Sequence, residues 1–413
     1  MQITAKKGVK LFHDFYIDMD IRPYTIPKEV KIPLGFKREK IEYRKNIGDR
    51  VEKFDVIANV KKDLPVYSSV NGKIIDFCMN LSNESNETFC YAVVETDGCD
   101  SPSYPLWDVK SDYSKFEILD IIKKAGIINE TTSGYFIDFI NKSTKYKKII
   151  IDCVDDQPYD LAGTSVLLNH KKEVLSGAEI LAKAFKIPKI ELLIMKNFRT
   201  ENLIKSGIDN VDIVQVNGKY PAEPEIVQYA HKNIALRVGV QCCRALYRAA
   251  FFGEPQLTSV VTVWGEGLDA PANCEVLNGT PTKFLLEKCA AKGILERVVA
   301  GGVMTGYVIS PELPVLRWNT ALTVMPLKRH SKTFDCVNCG RCADICPMKL
   351  APYFILRSSN KAGEKIAKQL CAGMCIYCGA CSYICPSRQP LGQKIREYND
   401  FLCGGSGKWT STV

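Results

Sequence analysis

A short run near the C-terminus, CVNCGRCADICP (Cys336–Pro347), recurs as CIYCGACSYICP (Cys375–Pro386). Both runs have the spacing C-x2-C-x2-C-x3-C-P. Three thiols at positions i, i+3 and i+6 of a short loop can surround three corners of a cube, and the proline stops the chain and redirects it. Gly340 and Gly379 stand at matching positions in the two loops, where the backbone must pass close to the group that the thiols hold. The doubled run therefore indicates a binding module with two similar halves.

The spacing is the pattern of two [4Fe–4S] clusters, in which the first three thiolates of a run hold one cubane and the fourth ligates the other cubane. Disulfides or zinc are the alternatives, but zinc sites usually use two separated CxxC pairs, so clusters are favoured. The pattern assigns one centre to Cys336, Cys339, Cys342 and Cys385, and the second centre to Cys375, Cys378, Cys381 and Cys346.

The rest of the composition describes a multidomain globular protein. A chain of 413 residues with 46% hydrophobic residues predicts two to four domains with real cores. No run of about eighteen apolar residues occurs, and the N-terminal sequence lacks the apolar region of a signal peptide, so we expect a cytoplasmic protein, with peripheral association to a membrane as the alternative. Ten of the eighteen cysteines lie outside the two runs and are expected to be free thiols.

The formal charge of +9 is spread among acidic residues and forms no basic arm. A solvated basic surface explains this distribution, and docking of an acidic redox partner is the alternative. The sequence contains no nucleic-acid-binding motif.

The pattern of apolar residues divides the chain into five parts and predicts an α/β multidomain protein. Short alternating strands at 46–51, 55–58, 65–70 and 72–75 indicate an N-terminal β barrel-sandwich (lipoyl-like) hammerhead without the carrier lysine, hence a docking or structural module. The predicted parts are the barrel-sandwich domain 1–105, a Rossmann-like α/β domain 106–255, a β-grasp (SLBB-type) domain 256–330, the two-cluster ferredoxin domain 331–395 and a flexible tail 396–413.

This order of domains resembles the RnfC family, the peripheral subunits of Rnf electron-transport complexes, which are similar to the NADH- and FMN-binding subunit of respiratory complex I. Three segments carry the resemblance besides the cluster motif: DDQPYDLAGTSVLLNHKKEVLSG (Asp155–Gly177), VNGKYPAEPE (Val216–Glu225) and GGVMTG (Gly301–Gly306). Each is a weak signal alone, and their order along the chain makes them specific. The resemblance implies FMN and NADH as cofactors, beside the clusters.

Two segments depart from the family. A glycine-rich loop carries the flavin phosphate there, because backbone amides must approach the anion. The corresponding stretch here, INETTSGYFIDFIN (Ile128–Asn141), keeps only Gly134, and the family's acidic ECE triplet reads Asp155, Asp156, Gln157. These departures argue against FMN and NADH binding in the family's usual manner, and no flavin ligand is assigned.

A third departure is VQCCRAL (Val240–Leu246), where the family has a small, polar turn bordering the flavin pocket. Cys242 and Cys243 are either buried packing residues or a thiol redox site, activated by Arg244 or by a helix N-terminus, that takes over the two-electron work of the flavin. With these changes the chain resembles most the PrdC group of RnfC-like proteins, which is associated with clostridial D-proline reductase. Cys403 is a further candidate for an exposed thiol.

The sequence therefore predicts an electron-transfer protein that relays low-potential electrons through two [4Fe–4S] clusters to a partner reductase, with proline reductase as the partner that the resemblance implies. Two alternatives stay open. One is an NADH-oxidising flavoprotein subunit of a membrane Rnf-type complex, and the other is a scaffold subunit whose clusters are structural.

Overall fold

The computed structural model describes residues 1–11, 15–37, 39–61, 63–81, 88–102, 104–141, 143–197, 199–206, 208, 210–291, 297–325, 332–359, 366 and 368–402. Cys403, predicted as an exposed thiol, lies outside the described residues.

The described strands are, in chain order, β1 (Gln2–Ala5), β2 (Ile21–Arg22), β3 (Glu29–Phe36), β4 (Ile41–Tyr43), β5 (Arg50–Val51), β6 (Val56–Val60), β7 (Leu64–Tyr67), β8 (Gly72–Leu81), β9 (Thr88–Thr96), β10 (Ile128–Asn129), β11 (Gly134–Tyr135), β12 (Lys148–Cys153), β13 (Ile190–Met195), β14 (Asp212–Gly218), β15 (Ala235–Gly239), β16 (Thr258–Gly265), β17 (Ala272–Leu277), β18 (Arg297–Ala300), β19 (Tyr307–Ile309) and β20 (Ala321–Met325).

The described helices are α1 (Lys115–Lys124), α2 (Phe136–Phe139), α3 (Ala162–Asn169), α4 (Lys171–Phe185), α5 (Glu201–Ser206), α6 (Glu223–Lys232), α7 (Val240–Phe252), α8 (Thr282–Lys288), α9 (Arg341–Asp344), α10 (Pro352–Ser359), α11 (Ala380–Tyr383) and α12 (Leu391–Leu402), with a short 3-10 helix at Ala372–Met374.

A five-stranded parallel sheet with the order β1-β14-β13-β12-β15 forms the centre of the molecule. The middle of strand β12 is a run of three isoleucines, Ile149–Ile151, as expected for a strand covered on both faces. Ile149 and Ile151 contact the core under helices α1, α3, α4 and α7, whereas Ile150 points to the opposite core beneath α6. The alternation of neighbouring side chains thus gives the sheet two separate cores.

A six-stranded mixed sheet has the order β19-β18-β20-β16-β17-β2. Its strands β16 to β20 follow the parallel sheet in the sequence, and helix α8 packs against this sheet in a separate core. In the N-terminal part, a four-stranded sheet (β3-β9-β8-β5) and a three-stranded sheet (β4-β6-β7) share a fourth core. The mixed α/β multidomain architecture is therefore as predicted. The barrel-sandwich, Rossmann-like and β-grasp assignments stay predictions.

Two short N-terminal strands lie outside the domain to which the sequence assigned them. Strand β1 forms the edge of the parallel sheet by pairing with β14, and β2 pairs with β17 of the mixed sheet. The buried side chains of Ile3 and Ala5 join the core beneath α6. The first 22 residues therefore contribute strands to both the parallel sheet and the mixed sheet, although the prediction placed residues 1–105 in one domain.

The C-terminal module packs its helices around a small core that contains Cys346, Leu350, Ile355, Ala372 and Ile395. Helix α12 continues to Leu402, so residues 396–402 are helical and differ from the predicted tail 396–413. The amide of Asn399 donates to the carbonyl oxygen of Ala372 and to the hydroxyl of Tyr377, at 2.9 Å each. These bonds, with buried Ile395, hold the helix on the module.

Candidate iron–sulfur site

The structure brings together four of the predicted ligand cysteines around one cavity. Three come from the second run and the fourth, Cys346, comes from the first run. Apolar side chains complete the wall, among them Ile345, Leu350 and Ile395. This grouping, Cys346 with Cys375, Cys378 and Cys381, is the ligand set that the crossed arrangement requires for one cubane, and we call it the buried centre.

Backbone N–H groups point at the sulfur atoms of the buried centre. The N–H of Leu350 donates to Cys346 Sγ at 3.3 Å. The N–H groups of Tyr377, Ala380 and Ser382 donate to the sulfurs of Cys375, Cys378 and Cys381, respectively. Such hydrogen bonds stabilise negative charge on thiolate sulfur and are one of the ways in which a protein sets a cluster potential. The residues present therefore fit a cluster at this position.

Burial works against ionisation of the same thiols when no metal is present. It raises the pKa of Cys375 to about 11 and that of Cys381 to about 12, and the neighbouring cysteines raise the latter further. Thiolate ligands must be deprotonated, so binding of a cationic iron centre and loss of the thiol protons are coupled.

The remaining four cysteines lie nearer to the surface, and we call them the outer centre. Cys339 is exposed, while Cys336, Cys342 and Cys385 are half-buried. The N–H of Asn338 donates to Cys336 Sγ at 3.4 Å, and Cys342 accepts from the N–H groups of Tyr353 and Ala343. Burial raises the pKa of Cys342, and the nearby Cys336 thiol adds a small contribution. Cys385 stays the predicted fourth ligand of this centre.

The two halves of the module have matching backbone geometry. Gly340 and Gly379 have φ angles of 75° and 74°, and each precedes a single-turn helix, α9 or α11. Two residues earlier, Asn338 and Tyr377 are also left-handed, with φ of 53° and 54°. This conformation turns the chain around the sulfurs and explains why glycine stands at the same place in both runs.

The buried centre contacts the α/β body directly. The hydroxyl of Tyr220 donates to the carbonyl oxygen of Cys378 at 2.9 Å, and both residues share a small apolar core with Val9 and Ala380. A Cβ atom added at Gly379 would lie 2.5 Å from the carbonyl oxygen of Met304. The loop that contains Cys378 and Gly379 therefore contacts two segments of the body, 219–221 and 301–306. Both segments lie in stretches that carry the family resemblance.

The triplet Asp155-Asp156-Gln157 connects the same segments. Asp155 accepts from the N–H of Thr164 at 2.8 Å, Asp156 accepts from the N–H of Ala222 at 2.8 Å, and Gln157 donates to the hydroxyl of Thr305 at 2.6 Å. The segments that carry the family resemblance thus meet beside Cys378. These polar residues therefore hold together the body segments that contact the loop of the buried centre.

An acidic cavity of about 220 Å³ opens next to this junction, at the carboxyl ends of strands β12 and β15. Six carboxylates line it, from Glu130, Asp152, Asp155, Asp156, Asp160 and Glu223. Among the described lining residues, Arg237 is the only Lys or Arg; it binds Asp152 and, with two 2.7 Å bonds, Glu223. The sequence did not single out this cavity, because its carboxylates come from strand β12, the loop that follows it, the β10–β11 turn and helix α6.

Burial is the main cause of raised carboxyl pKa values in the cavity. It raises the pKa of Glu130 to about 7 and that of Asp156 to about 7, although backbone N–H groups bonded to both oppose the shift. The pKa values of Asp155 and Asp160 are raised too, and for Asp155 the neighbouring charge of Asp160 adds to burial. The cavity therefore disfavours additional negative charge.

Comparison with known families supports the nature of the C-terminal module. Residues 335–388 match the family described as "4Fe-4S dicluster domain". This module is a 4Fe–4S dicluster domain. Its cysteine pattern was visible in the sequence, and the prediction of iron–sulfur chemistry is confirmed.

Relatives cover more of the chain than the dicluster domain does. The chain is 25% identical over 376 residues to a subunit of the ion-translocating oxidoreductase complex of Buchnera aphidicola, covering 81% of this chain and 72% of that protein. It is 26% identical over 379 residues to a subunit of the proton-translocating ferredoxin:NAD(+) oxidoreductase complex of Clostridium ljungdahlii, covering 81% of each. For a protein of the ion-translocating oxidoreductase complex of Vibrio cholerae, 26% identical over 360 residues, the match covers 46% of that protein.

Among solved structures, a chain of an NAD+-reducing [NiFe]-hydrogenase in the H2-reduced state superposes with a TM-score of 0.45 at 11% identity, covering 70% of this chain and 61% of that chain. Across the part of this chain that the structure describes, no helix has both the length and the apolar character needed to span a membrane.

The structure contradicts the thiol redox hypothesis for Cys242 and Cys243. Both residues lie in helix α7, are 0% exposed and belong to the core beneath α4. Burial first, and the charge of Glu130 in addition, raises the pKa of each thiol well above its usual value. Arg244, the expected activating cation, binds Glu173 and Glu275. A reactive thiol must be accessible and ionised, so this pair is a packing pair.

Proposed function

We propose that this protein carries electrons between a partner protein and the rest of its complex through two [4Fe–4S] clusters in the dicluster domain. The observation that carries the proposal is the cavity lined by Cys346, Cys375, Cys378 and Cys381, with a backbone N–H aimed at every sulfur. A [4Fe–4S] group held there would supply one-electron redox chemistry, while the N–H groups and burial would set its potential.

The unequal exposure of the two centres indicates which centre exchanges electrons with the partner protein. The buried centre contacts the α/β body through Tyr220 and Met304, whereas the outer centre reaches the surface at Cys339. Phe334 and Val337, which flank the outer centre, are 58% and 67% exposed. Exposed apolar side chains beside a redox centre suit a transient docking surface. Electrons would therefore enter or leave by the outer centre.

The proposed partners follow from the similarity to proteins of ion-translocating oxidoreductase complexes. We propose that the chain works as a peripheral subunit of an Rnf-type assembly or as its counterpart beside a soluble reductase. D-proline reductase is the specific reductase that the resemblance to the PrdC group implies.

A second candidate is an NADH-oxidising flavoprotein subunit. The observation in its favour is the similarity over 81% of the chain to a protein of a ferredoxin:NAD(+) oxidoreductase complex. The acidic cavity beside the buried centre opposes it, because flavin and nicotinamide nucleotides both carry phosphate.

An anaerobic preparation distinguishes these functions. Iron, acid-labile sulfide and flavin are quantified, and the protein is then mixed with either a reduced ferredoxin or NADH while the cluster absorbance is followed. We expect about eight iron atoms per chain, no stoichiometric flavin, and bleaching by the protein donor but not by NADH. Bound flavin with rapid reduction by NADH would establish the flavoprotein instead. Clusters that no low-potential donor reduces would indicate a structural role.

A further inference from the structure

Helix α7 begins at the edge of the acidic cavity, and its first N–H groups already have an internal acceptor. The N–H of Gln241 donates to Glu130 Oε1 at 2.6 Å, and the N–H of Cys242 donates to Glu130 Oε2 at 3.1 Å. The N-terminus of a helix attracts anions because its N–H groups are unpaired and its dipole is positive there. One carboxylate therefore spans the position where an anionic ligand would bind.

The loop that supplies Glu130 is fixed on both sides of it. Asn129 is fully buried, accepts from the N–H of Gly239 at 3.0 Å and donates to the carbonyl oxygen of Arg237 at 3.3 Å. A Cβ atom added at Gly239 would lie 2.1 Å from Cδ of Glu130. Strand β15 thus ends in Gly239, which leaves space for the carboxylate of Glu130. The β10–β11 turn places the carboxylate in that space.

The N-terminus of a second helix at the cavity is also occupied by carboxylates of the chain. Helix α3 receives Asp155 at the N–H of Thr164, at 2.8 Å, and Asp160 at the N–H of Ala162, at 3.3 Å. An added Cβ at Gly163 would meet Asp155 at 2.7 Å. The N-termini of α3 and α7 are therefore both occupied by carboxylates of the chain, and the lining cation Arg237 is held by Asp152 and Glu223.

We propose that Glu130 is a built-in substitute for a ligand phosphate: its carboxylate occupies the anion position of helix α7 and excludes flavin nucleotide from the cavity. The residues present do not fit FMN, which the resemblance implies for this place. The stretch Ile128–Asn141 is the counterpart of the loop that carries the flavin phosphate in the family. Here the same stretch keeps only Gly134 and carries the carboxylate of Glu130, which accepts the N–H hydrogen bonds that a phosphate would accept.

Binding of inorganic phosphate and of FMN to the full-length, cluster-loaded protein tests this proposal. Titrations at pH 8, where Glu130 is mostly ionised, compare the wild type with Glu130→Gln and Glu130→Gly by calorimetry and by quenching of FMN fluorescence. We expect no saturable binding to the wild type. Removal of the carboxylate charge should tighten phosphate binding at least about tenfold, since like charges at contact distance repel strongly in a part-buried site.

Asp156→Asn is the matched control, because it removes one charge from the same cavity and leaves the N-terminus of α7 untouched. The affinity for phosphate should increase less in Asp156→Asn than in Glu130→Gln. Equal gains in the two variants would show that overall charge excludes anions, and would overturn the proposal. Stoichiometric FMN in the wild type, or folded Glu130 variants that bind neither probe, would overturn it as well. Glu130→Gln retains an oxygen acceptor for Gln241, so the test does not depend on the glycine variant folding.

Discussion

At the level of single residues, the eight cluster cysteines form two sets with different surroundings. Cys346, Cys378 and Cys381 are each 8% exposed, whereas Cys339 of the outer centre lies open to solvent. Cys346 belongs by sequence to the first run and by position to the second. The crossed ligand arrangement stays a prediction that single substitutions can test.

We expect Cys346→Ser to disturb the centre that contains Cys375, Cys378 and Cys381, and Cys385→Ser to disturb the outer centre. A serine oxygen is a poorer ligand for cluster iron than thiolate, so each variant should change the signal of one reduced cluster. Electron paramagnetic resonance, with Cys375→Ser and Cys336→Ser as reference spectra, measures this. A Cys346→Ser spectrum that matches Cys336→Ser would contradict the arrangement.

Burial also predicts the reactivity of the adjacent pair in helix α7. Iodoacetamide should label Cys242 and Cys243 of the native protein at least about 100-fold more slowly than exposed Cys99, because alkylation requires an accessible thiolate. Mass spectrometry of timed samples gives the rates. Cys242→Ala should lower the free energy of unfolding by about 1 kcal/mol and leave electron transfer unchanged. Fast labelling of either thiol would restore the redox hypothesis.

At the level of secondary-structure elements, the two cluster loops are alike in backbone but differ in their neighbours. Gly340 has no atom within 4 Å of an added Cβ, whereas Gly379 faces the carbonyl oxygen of Met304 at 2.5 Å. The loop of the buried centre is therefore held by its own conformation and also by the body. At Gly340, the loop of the outer centre has no such neighbour among the described residues.

This difference makes Gly340→Ala the natural control for Gly379→Ala. Both substitutions should lower the free energy of unfolding by about 1–2 kcal/mol, because alanine is disfavoured at a left-handed φ. The decrease should be larger for Gly379→Ala, because its methyl group meets backbone. Loss of visible absorbance in an iron chelator reports cluster stability. We expect Gly379→Ala to bleach several-fold faster. Equal rates would show that contact with Met304 does not support the cluster.

At the level of the whole molecule, five of the described apolar cores contain no residue of the dicluster domain. The dicluster domain shares a small core with the body around Tyr220 and Cys378. The N-terminal strands β1 and β2 lie in two different sheets and thereby connect the parallel sheet with the mixed sheet.

A chain truncated before Lys332 should therefore fold without the clusters, since the sheets keep their own cores. Circular dichroism should show a cooperative thermal transition, and the protein should lack visible absorbance. The exposed surface around Tyr220 should lower the melting temperature by a few degrees. Global unfolding of the truncated chain would show that the clusters hold the fold together.

The sequence by itself predicted the cluster ligands and their pairing and determined the mixed α/β character, because cluster spacing and apolar periodicity are local properties of the chain. It also located the altered segments Ile128–Asn141 and Val240–Leu246. Only the tertiary structure showed that Glu130 accepts hydrogen bonds from residues more than a hundred positions away, and that Cys242 and Cys243 lie under helix α4. Burial and charge at a point in space are sums over distant parts of the chain, so no local pattern contains them.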